Sequence, residues 1–341
     1  MSMIKQQVWM AAVVGCCTFV SARAQQAGSP DRLPFVITVH FENDGTFVKP
    51  NNRHDRHYTN GIEVTVAHQP RWAEVLAPRL PCSPVADSDE GLKTAAGYAI
   101  GQSIITPQAI EPRRLIPEDR PYAGWLYGGV YLQRASGRVF DHFEVDLGVI
   151  GPSSLAEEVQ RVVHDLFNQV EPGGWDNQLG DEFGIDFVYQ RKWKVSLLTS
   201  GGDDSVQLIP QVGFVLGTVH RHAGVGVLVR MGVNLPDDFG PGRIQEPGAA
   251  TGSAQKEPGG YFFVRVDGQA VEHNTLLEGN NHRSSHGVDP ETLFGQVQVG
   301  LVFLWDRFEL GYAQTFQSRQ FESQRGKDSF GGLTFSWRGH F

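Results

Sequence analysis

Residues 330–341 read FGGLTFSWRGHF, ending on Phe341. Counting back by two from Phe341 gives Gly339, Trp337, Phe335 and Leu333, the mostly apolar face of an extended chain. A strand whose alternation runs to a terminal Phe has the form of the closing strand of a membrane barrel. An ordinary amphipathic terminal strand is the plainer reading. Residues 139–150, VFDHFEVDLGVI, weigh toward the barrel. There Val139, Asp141, Phe143, Val145, Leu147 and Val149 alternate with Phe140, His142, Glu144, Asp146 and Gly148. Glu144 and Asp146 would be costly in a dry sandwich core but suit a polar lumen.

The other end of the chain agrees. Residues 1–24, MSMIKQQVWMAAVVGCCTFVSARA, have the parts of an export signal: Lys5, an apolar Val8–Val20, and Ala22-Arg23-Ala24 as a cleavage site. Val13-Val14-Gly15-Cys16 is a weaker, lipoprotein-like alternative that leaves the apolar residues after Cys16 unexplained. With the leader removed, Cys82 is the only cysteine, which excludes an internal disulfide and a cysteine metal site. The terminal strand also resembles the signal read by the outer-membrane insertion machinery. The 341 residues carry 40% apolar and 20% charged side chains, 40 Gly and 21 Phe. Past the leader there is no apolar run near the ~18 residues of a spanning helix. A net charge of −9 makes nucleic acid an unlikely partner.

The rest of the chain reads as strands. Leu33–Glu42 places Phe35, Ile37, Val39 and Phe41 toward lipid and His40 and Glu42 toward the lumen. Tyr58–Ala67 sets Tyr58, Asn60, Ile62, Val64 and Val66 against Thr59, Gly61, Glu63, Thr65 and Ala67. Further candidates are 96–106, 122–133, 139–150, 185–190, 192–198, 208–218, 224–231, 260–271, 293–304, 308–317 and 330–341, thirteen in all. Closed single-chain bacterial barrels have even strand numbers, so the cramped pair within 185–198 is the expected miscount. The connections at 45–57, 69–94, 107–121, 151–183, 237–259 and 272–292 are long, and the rest are short. That pattern predicts long loops on one rim and short turns on the other, with the Gly/Pro/Ala-rich 237–259 mobile.

Three clusters carry chemistry. Glu42-Asn43-Asp44-Gly45 closes the first strand, and Asp55-Arg56-His57-Tyr58-Thr59-Asn60-Gly61 opens the second. Their hard oxygen groups suit Ca²⁺ or an oxyanion, although Asn-Asp-Gly is also ordinary turn chemistry. Arg113-Arg114 suits bidentate phosphate recognition, and Tyr122, Trp125 and Tyr127 suit a membrane-interface girdle. A helix is expected from Ser154, with Ser154 and Glu157 as a capping box and an apolar stripe of Leu155, Val159, Val162, Val163 and Leu166. Gln160 and His164, four apart, share one of its faces.

With these pieces in place the sequence resembles the lipid A 3′-O-deacylase family of outer-membrane barrels. The matching motifs are Glu42-Asn43-Asp44, Asp55…Tyr58-Thr59-x-Gly61, Gln102…Thr106-Pro107, Asp119–Trp125, and Gly148–Pro152 running to Glu158-Val159-Gln160…His164. Gly174-Trp175-x-x-Gln178-Leu179 continues the match. The resemblance implies an all-β antiparallel barrel of about twelve strands over residues 25–341, with a short helix in a long rim loop. It implies an active site at the extracellular rim. There, His164 would be the general base, Asp44 a Ca²⁺ ligand, and Asn43 and Thr59 the shapers of the metal and oxyanion site. Pro112-Arg113-Arg114 stands where the family has a Lys-Arg pair, so Arg113 and Arg114 would bind substrate without the lysine. The implied reaction is hydrolysis of the 3′-O-linked acyloxyacyl ester of lipid A in the outer membrane. Lipopolysaccharide and outer-membrane lipids would be its partners and Ca²⁺ its cofactor. A His with a bound cation needs no serine nucleophile, and there is no GxSxG elbow. A passive porin or scaffold barrel, and a serine-type outer-membrane phospholipase, are the alternatives.

Overall fold

The computed structural model describes residues 34–44, 57–81, 92–200, 203–244, 246, 248, 250 and 257–340. The expected leader, Asp55, Arg56, Cys82 and Phe341 lie outside the described residues. The strands are β1 Pro34–Asn43, β2 His57–His68, β3 Lys93–Thr106, β4 Ala123–Ser136, β5 Val139–Ile150 and β6 Glu182–Trp193, which continues as Val195–Ser200. They are followed by β7 Asp203–Gly217, β8 His220–Val233, β9 Gly259–Asn274, β10 Leu293–Trp305, β11 Phe308–Gln317 and β12 Asp328–His340. Each pairs antiparallel with its neighbour in sequence. The first and last pair from Pro34↔His340 to Asn43↔Gly331, which closes a barrel of twelve strands.

The suspected miscount falls in β6. Its two pieces lie along the same partner, Asp186↔Gly217 to Lys192↔Gln211 and then Val195↔Leu208, so they are one interrupted strand. Lys194 makes the break. Its N–H donates to Arg138 O at 2.8 Å, and its ammonium pairs with Asp237 at 2.6 Å over the Phe239 ring.

The alternation produces an inside-out molecule. Lumenal His40, Glu63, His142, Glu144, Asp146, Asp186, Arg230 and Arg265 are buried, while Ile100, Val130, Leu147, Phe183, Val225 and Phe303 are exposed on the outer wall. Ile100 is 60% exposed and Glu144 only 1%. In water this would be unstable, whereas against hydrocarbon it is the expected arrangement. None of the described helices is long and apolar enough to cross a membrane.

Two expectations about the connections need correction. Long connections occur on both rims, because 69–92 and 234–258 leave from the rim that holds the termini. The first contains helix α1, Arg71–Leu76, and a following single 3₁₀ turn. Ala73 and Ala77 pack on Ala96 and Leu132 of the outer wall. Arg134, fully buried there, donates to Ala77 O (2.7 Å), Leu80 O (3.2 Å) and Pro81 O (2.5 Å), and its Nε binds Asp141 at 2.8 Å. The second connection was expected to be mobile. Its described part instead folds back into the lumen. Arg230 donates to Pro236 O (2.9 Å) and pairs with Asp238, Arg265 donates to Pro241 O (2.6 Å), and Gln133 engages Gly248 O and Ala250 N (3.1 and 2.8 Å). Glycine and proline here supply a compact path through a polar interior whose side chains satisfy the backbone.

Candidate functional site

At the opposite rim β1, β2 and β3 end together, and β2 carries a bulge there. His57 faces Thr106 and Tyr58 faces Ile105, but Asn60 faces Ile104, so Thr59 has no opposite number in β3. The extra residue shifts the count by one. Tyr58 therefore points into the lumen, where its hydroxyl donates to Glu42 at 2.8 Å, rather than sharing a face with Asn60 and Ile62 as the plain alternation predicted. Bulges re-aim side chains beside functional sites. Here the displaced Thr59 carbonyl accepts from Asn43 Nδ2 at 3.0 Å and from the Asp44 N–H at 3.4 Å. The Thr59 hydroxyl lies 2.8 Å from that of Thr106. Asn43, Asp44 and Thr59 are thus gathered at one corner, with Asp44 and Thr59 buried.

Helix α2, Ala156–Phe167, lies on the outer face of β3 and β4. Its start sits flush on the wall at Gly124, where a Cβ would come within 2.0 Å of Ser154 Oγ and 2.4 Å of Ala156 Cβ. Gln102 Nε2 ties β3 to this turn through Ser154 O at 2.6 Å. The expected capping box does not form. Leu155, at φ 58°, is the N-cap residue, and Ser154 Oγ donates back to Gly151 O at 2.6 Å within a short 3₁₀ turn. Glu157 instead meets Arg161 at 2.7 Å and Gln178 at 3.3 Å.

The faces of α2 are also the reverse of an ordinary packed helix. The expected apolar stripe is largely outward, with Leu155, Val162 and Leu166 exposed, whereas Ala156, Gln160 and His164 are buried against the protein. Gln160 Oε1 accepts from Trp175 Nε1 at 2.8 Å. His164, 4% exposed, has its Nδ1 2.5 Å from Val170 O. A carbonyl only accepts, so Nδ1 carries the proton and Nε2 is the basic nitrogen.

The two long loops zip together beside this helix. Gly173 N and the Tyr122 hydroxyl both donate to Ile110 O, at 2.8 and 2.9 Å, and Tyr122 packs on Trp175. Arg113 and Arg114 are exposed on this junction, and Arg113 O accepts from Asn177 Nδ2 at 2.9 Å. The girdle reading fails. Tyr122, Trp125 and Tyr127 are buried, Trp125 stacks on Tyr127, and the Tyr127 hydroxyl donates to lumenal Glu63 at 2.6 Å. Parity is the reason, since Trp125 and Tyr127 share the inward face of β4 with Tyr131 and Gln133.

A latch closes the rim. His57 Nδ1 meets Asp328 at 2.7 Å and its Nε2 meets Asp119 at 3.3 Å, with Phe321 edge-on to the ring. Burial works to raise the Asp119 carboxyl. Hydrogen bonds from His57, Gln108 N and Arg120 N outweigh it and hold the group below its ordinary value of 3.8. Buried Arg120 continues the latch to Gln320 at 2.7 Å, and burial lowers it to about 10.

The donors at the Asn43–Asp44–Thr59 corner are all oxygen, with one carboxylate. They fit a hard cation such as Ca²⁺ held weakly, with carbonyl and substrate oxygens completing its shell. Among the described residues no group of three or more His, Cys, Asp or Glu is arranged to hold a metal. The motifs included Thr106, Gln160 and Trp175, but sequence reasoning missed the Thr59–Thr106 contact, the Gln160–Trp175 hydrogen bond and the re-aimed Tyr58. Only the Gln160–His164 spacing signalled any of them.

Comparison with known proteins agrees with this anatomy. The family model described as outer membrane protein LpxR matches residues 10–339. LpxR from Salmonella typhimurium superposes with a TM-score of 0.71 at 18% identity, over 89% of this chain and 99% of that one. The β domain of the Bordetella autotransporter BrkA reaches a TM-score of 0.43 at 11% identity, over 91% and 99% of the two chains. Comparison with curated protein sequences gives no match. The family anticipated from the motifs is the one found, and the protein is an outer-membrane barrel belonging to the LpxR family.

Proposed function

We propose that the protein is a lipid A 3′-O-deacylase, a carboxylic ester hydrolase that removes the acyloxyacyl chain of lipopolysaccharide at the extracellular rim. The single observation that carries this reading is His164. It is buried on the inner face of a rim helix, with Nδ1 committed to Val170 O and Nε2 as the basic nitrogen. Nε2 takes a proton from water, the resulting hydroxide attacks the ester carbonyl, and the imidazolium returns that proton to the departing sugar 3′ oxygen. Asn43 and Thr59 line the corner where the oxyanion develops, and Asp44 would hold Ca²⁺. When bound, Ca²⁺ supplies Lewis-acid polarisation of the carbonyl. Arg113 and Arg114, exposed on the adjoining loop junction, are placed to meet lipid A phosphates. The outward Leu155, Val162 and Leu166 of α2 suit acyl chains. The outward Leu333, Phe335 and Trp337 of β12 suit handling by the outer-membrane insertion machinery.

Mass spectrometry of lipid A from cells with and without the protein tests the reading. Loss of the 3′-O-linked acyloxyacyl group only when the protein is present is the expected result, and unchanged lipid A overturns it. The serine-type alternative finds little support, since Ser154, the serine at the helix N-terminus, donates to Gly151 O and Ser103 lies in the lumen. Rim Ser→Ala variants should therefore stay active.

A further inference from the structure

The 234–258 connection enters the lumen from the rim that holds the termini, yet its tip ends beneath the candidate site at the other rim. Arg243 and Glu246 close the tip as an antiparallel bridge, with backbone N–H···O distances of 2.9 Å in both directions, and their side chains form an ion pair. Gln190 donates to Glu246 at 3.1 Å, and Arg243 meets Asp267 at 3.6 Å. The tip is therefore pinned from β6 and β9. Ile244 reaches β2, where its Cδ1 lies 2.6 Å from the place a Cβ on Gly61 would occupy. The Tyr58 hydroxyl borders the same point, and Glu42, Tyr58, Arg243, Ile244 and Glu246 line one lumenal cavity. Glu42 is buried, accepts from the Tyr58 hydroxyl at 2.8 Å, and its carbonyl accepts from Asn60 Nδ2 at 3.2 Å. Asn43 and Asp44 are the next two residues of the chain.

We infer that the lumenal tip Arg243–Glu246 is a positioning element for the rim site. By holding Glu42 and Tyr58 from inside the barrel it fixes the end of β1 and the bulge of β2, and so the placement of Asn43, Asp44 and Thr59. None of the tip residues touches substrate. The role rests on the deacylase reading for its catalytic consequence but not for its mechanical one. A connection from the periplasmic rim thereby sets the geometry of an extracellular site. The wall holds Asn43 by pairing it with Gly331 and Asn60, and the tip adds its support beside the bulge, where Thr59 has no partner in β3.

The test uses the full-length protein in detergent, with Arg243→Ala, Ile244→Ala (which removes the side chain that reaches Gly61) and Tyr58→Phe, and Arg243→Lys as the conservative variant. Two measurements are made: kcat and KM on purified lipopolysaccharide, and hydrogen–deuterium exchange at the Asp44 amide. A misplacement of about 1 Å costs up to ~100-fold in rate. The expected result is a fall in kcat of roughly tenfold to a hundredfold at near-constant KM, faster exchange at Asp44 with β7–β11 unchanged, and recovery of most activity in Arg243→Lys. If Ile244→Ala fails to fold, Arg243→Ala and Tyr58→Phe decide. Wild-type kcat in these variants overturns the inference, as does a fall in kcat without faster Asp44 exchange. If the wild-type protein shows no deacylase activity, the functional reading fails and exchange alone decides the positioning role.

Discussion

At the scale of single residues, the proposed roles of His164 and Asp44 each yield a distinct expectation. His164→Asn keeps a side chain that can donate to Val170 O but has no basic nitrogen, so the helix should stay docked while activity falls ~10²–10⁴-fold. Wild-type melting with near-full turnover would make His164 a helix-packing residue. Asp44→Ala should abolish any response to Ca²⁺ after chelation and metal add-back, and Asp44→Glu should retain part of it. Full activity in chelator would remove the cation from the mechanism. At this scale the sequence was informative about His164, because the four-residue spacing from Gln160 puts both on one helical face whatever the helix packs on. It was silent about the contact of Thr106 with Thr59 and about the orientation of Tyr58. A bulge adds one residue, and period-two counting then assigns everything before it to the wrong side.

Elements show where local rules lose to tertiary demands. Ser154 and Glu157 satisfy the capping-box pattern, yet the approach of the chain to Gly124 places Leu155 at the cap and turns Ser154 back on Gly151. Helix α1 was unforeseen because six residues bearing Trp72, Val75 and Leu76 on the outside read as loop. Its anchor is Arg134, 57 residues beyond Ala77 in the sequence, and so invisible to any local window. Arg134→Ala leaves Asp141 with Arg191 (2.6 Å) and the Tyr189 hydroxyl (2.9 Å) but strips three carbonyls at the end of α1. Leaving the buried Ala77 carbonyl without its donor costs about 1–3 kcal/mol. The variant should melt lower in detergent and admit protease at 71–81, with catalysis intact in what remains folded. The rim latch gives a pH expectation. The Asp119 carboxyl is held below its ordinary value, so the stability it contributes is present above 3.8 and is lost as pH falls through the lower folded value. Corrected amide exchange over 107–121 should therefore accelerate below about pH 4. Asp119→Asn should abolish that dependence, and an unchanged profile would dismiss the latch.

For the whole molecule, the barrel was legible because every strand repeats one signal, apolar outward and polar inward, and the errors of single strands do not accumulate. Even the strand number followed from closure once the break at Lys194 was recognised as an interruption. The lumenal return of 234–258 was not legible. Its Gly and Pro content is equally that of a mobile loop, and the partners that order it, Gln133, Gln190, Arg230 and Arg265, sit on four different strands. That return bears on whether the barrel conducts. Above the tip, the lumen opens as a cavity of about 260 Å³ lined by Glu42, Tyr58, Arg120, Arg243 and His222. Alongside the folded-in chain, the spaces left between it and His40, Thr334 and the Gly240–Gly242 stretch are about 20 Å³ each, room for little more than one water. Spaces of that size hold little more than one water and carry no ion flow of their own. Reconstituted into planar bilayers, the wild-type protein should show no steady conductance at moderate voltage. Replacing residues 237–257 by a short Gly-Ser turn between β8 and β9 should open channels of a size set by the empty barrel. Steady wild-type currents of porin magnitude would mean that the return leaves the lumen in the membrane, and would restore the passive-pore reading.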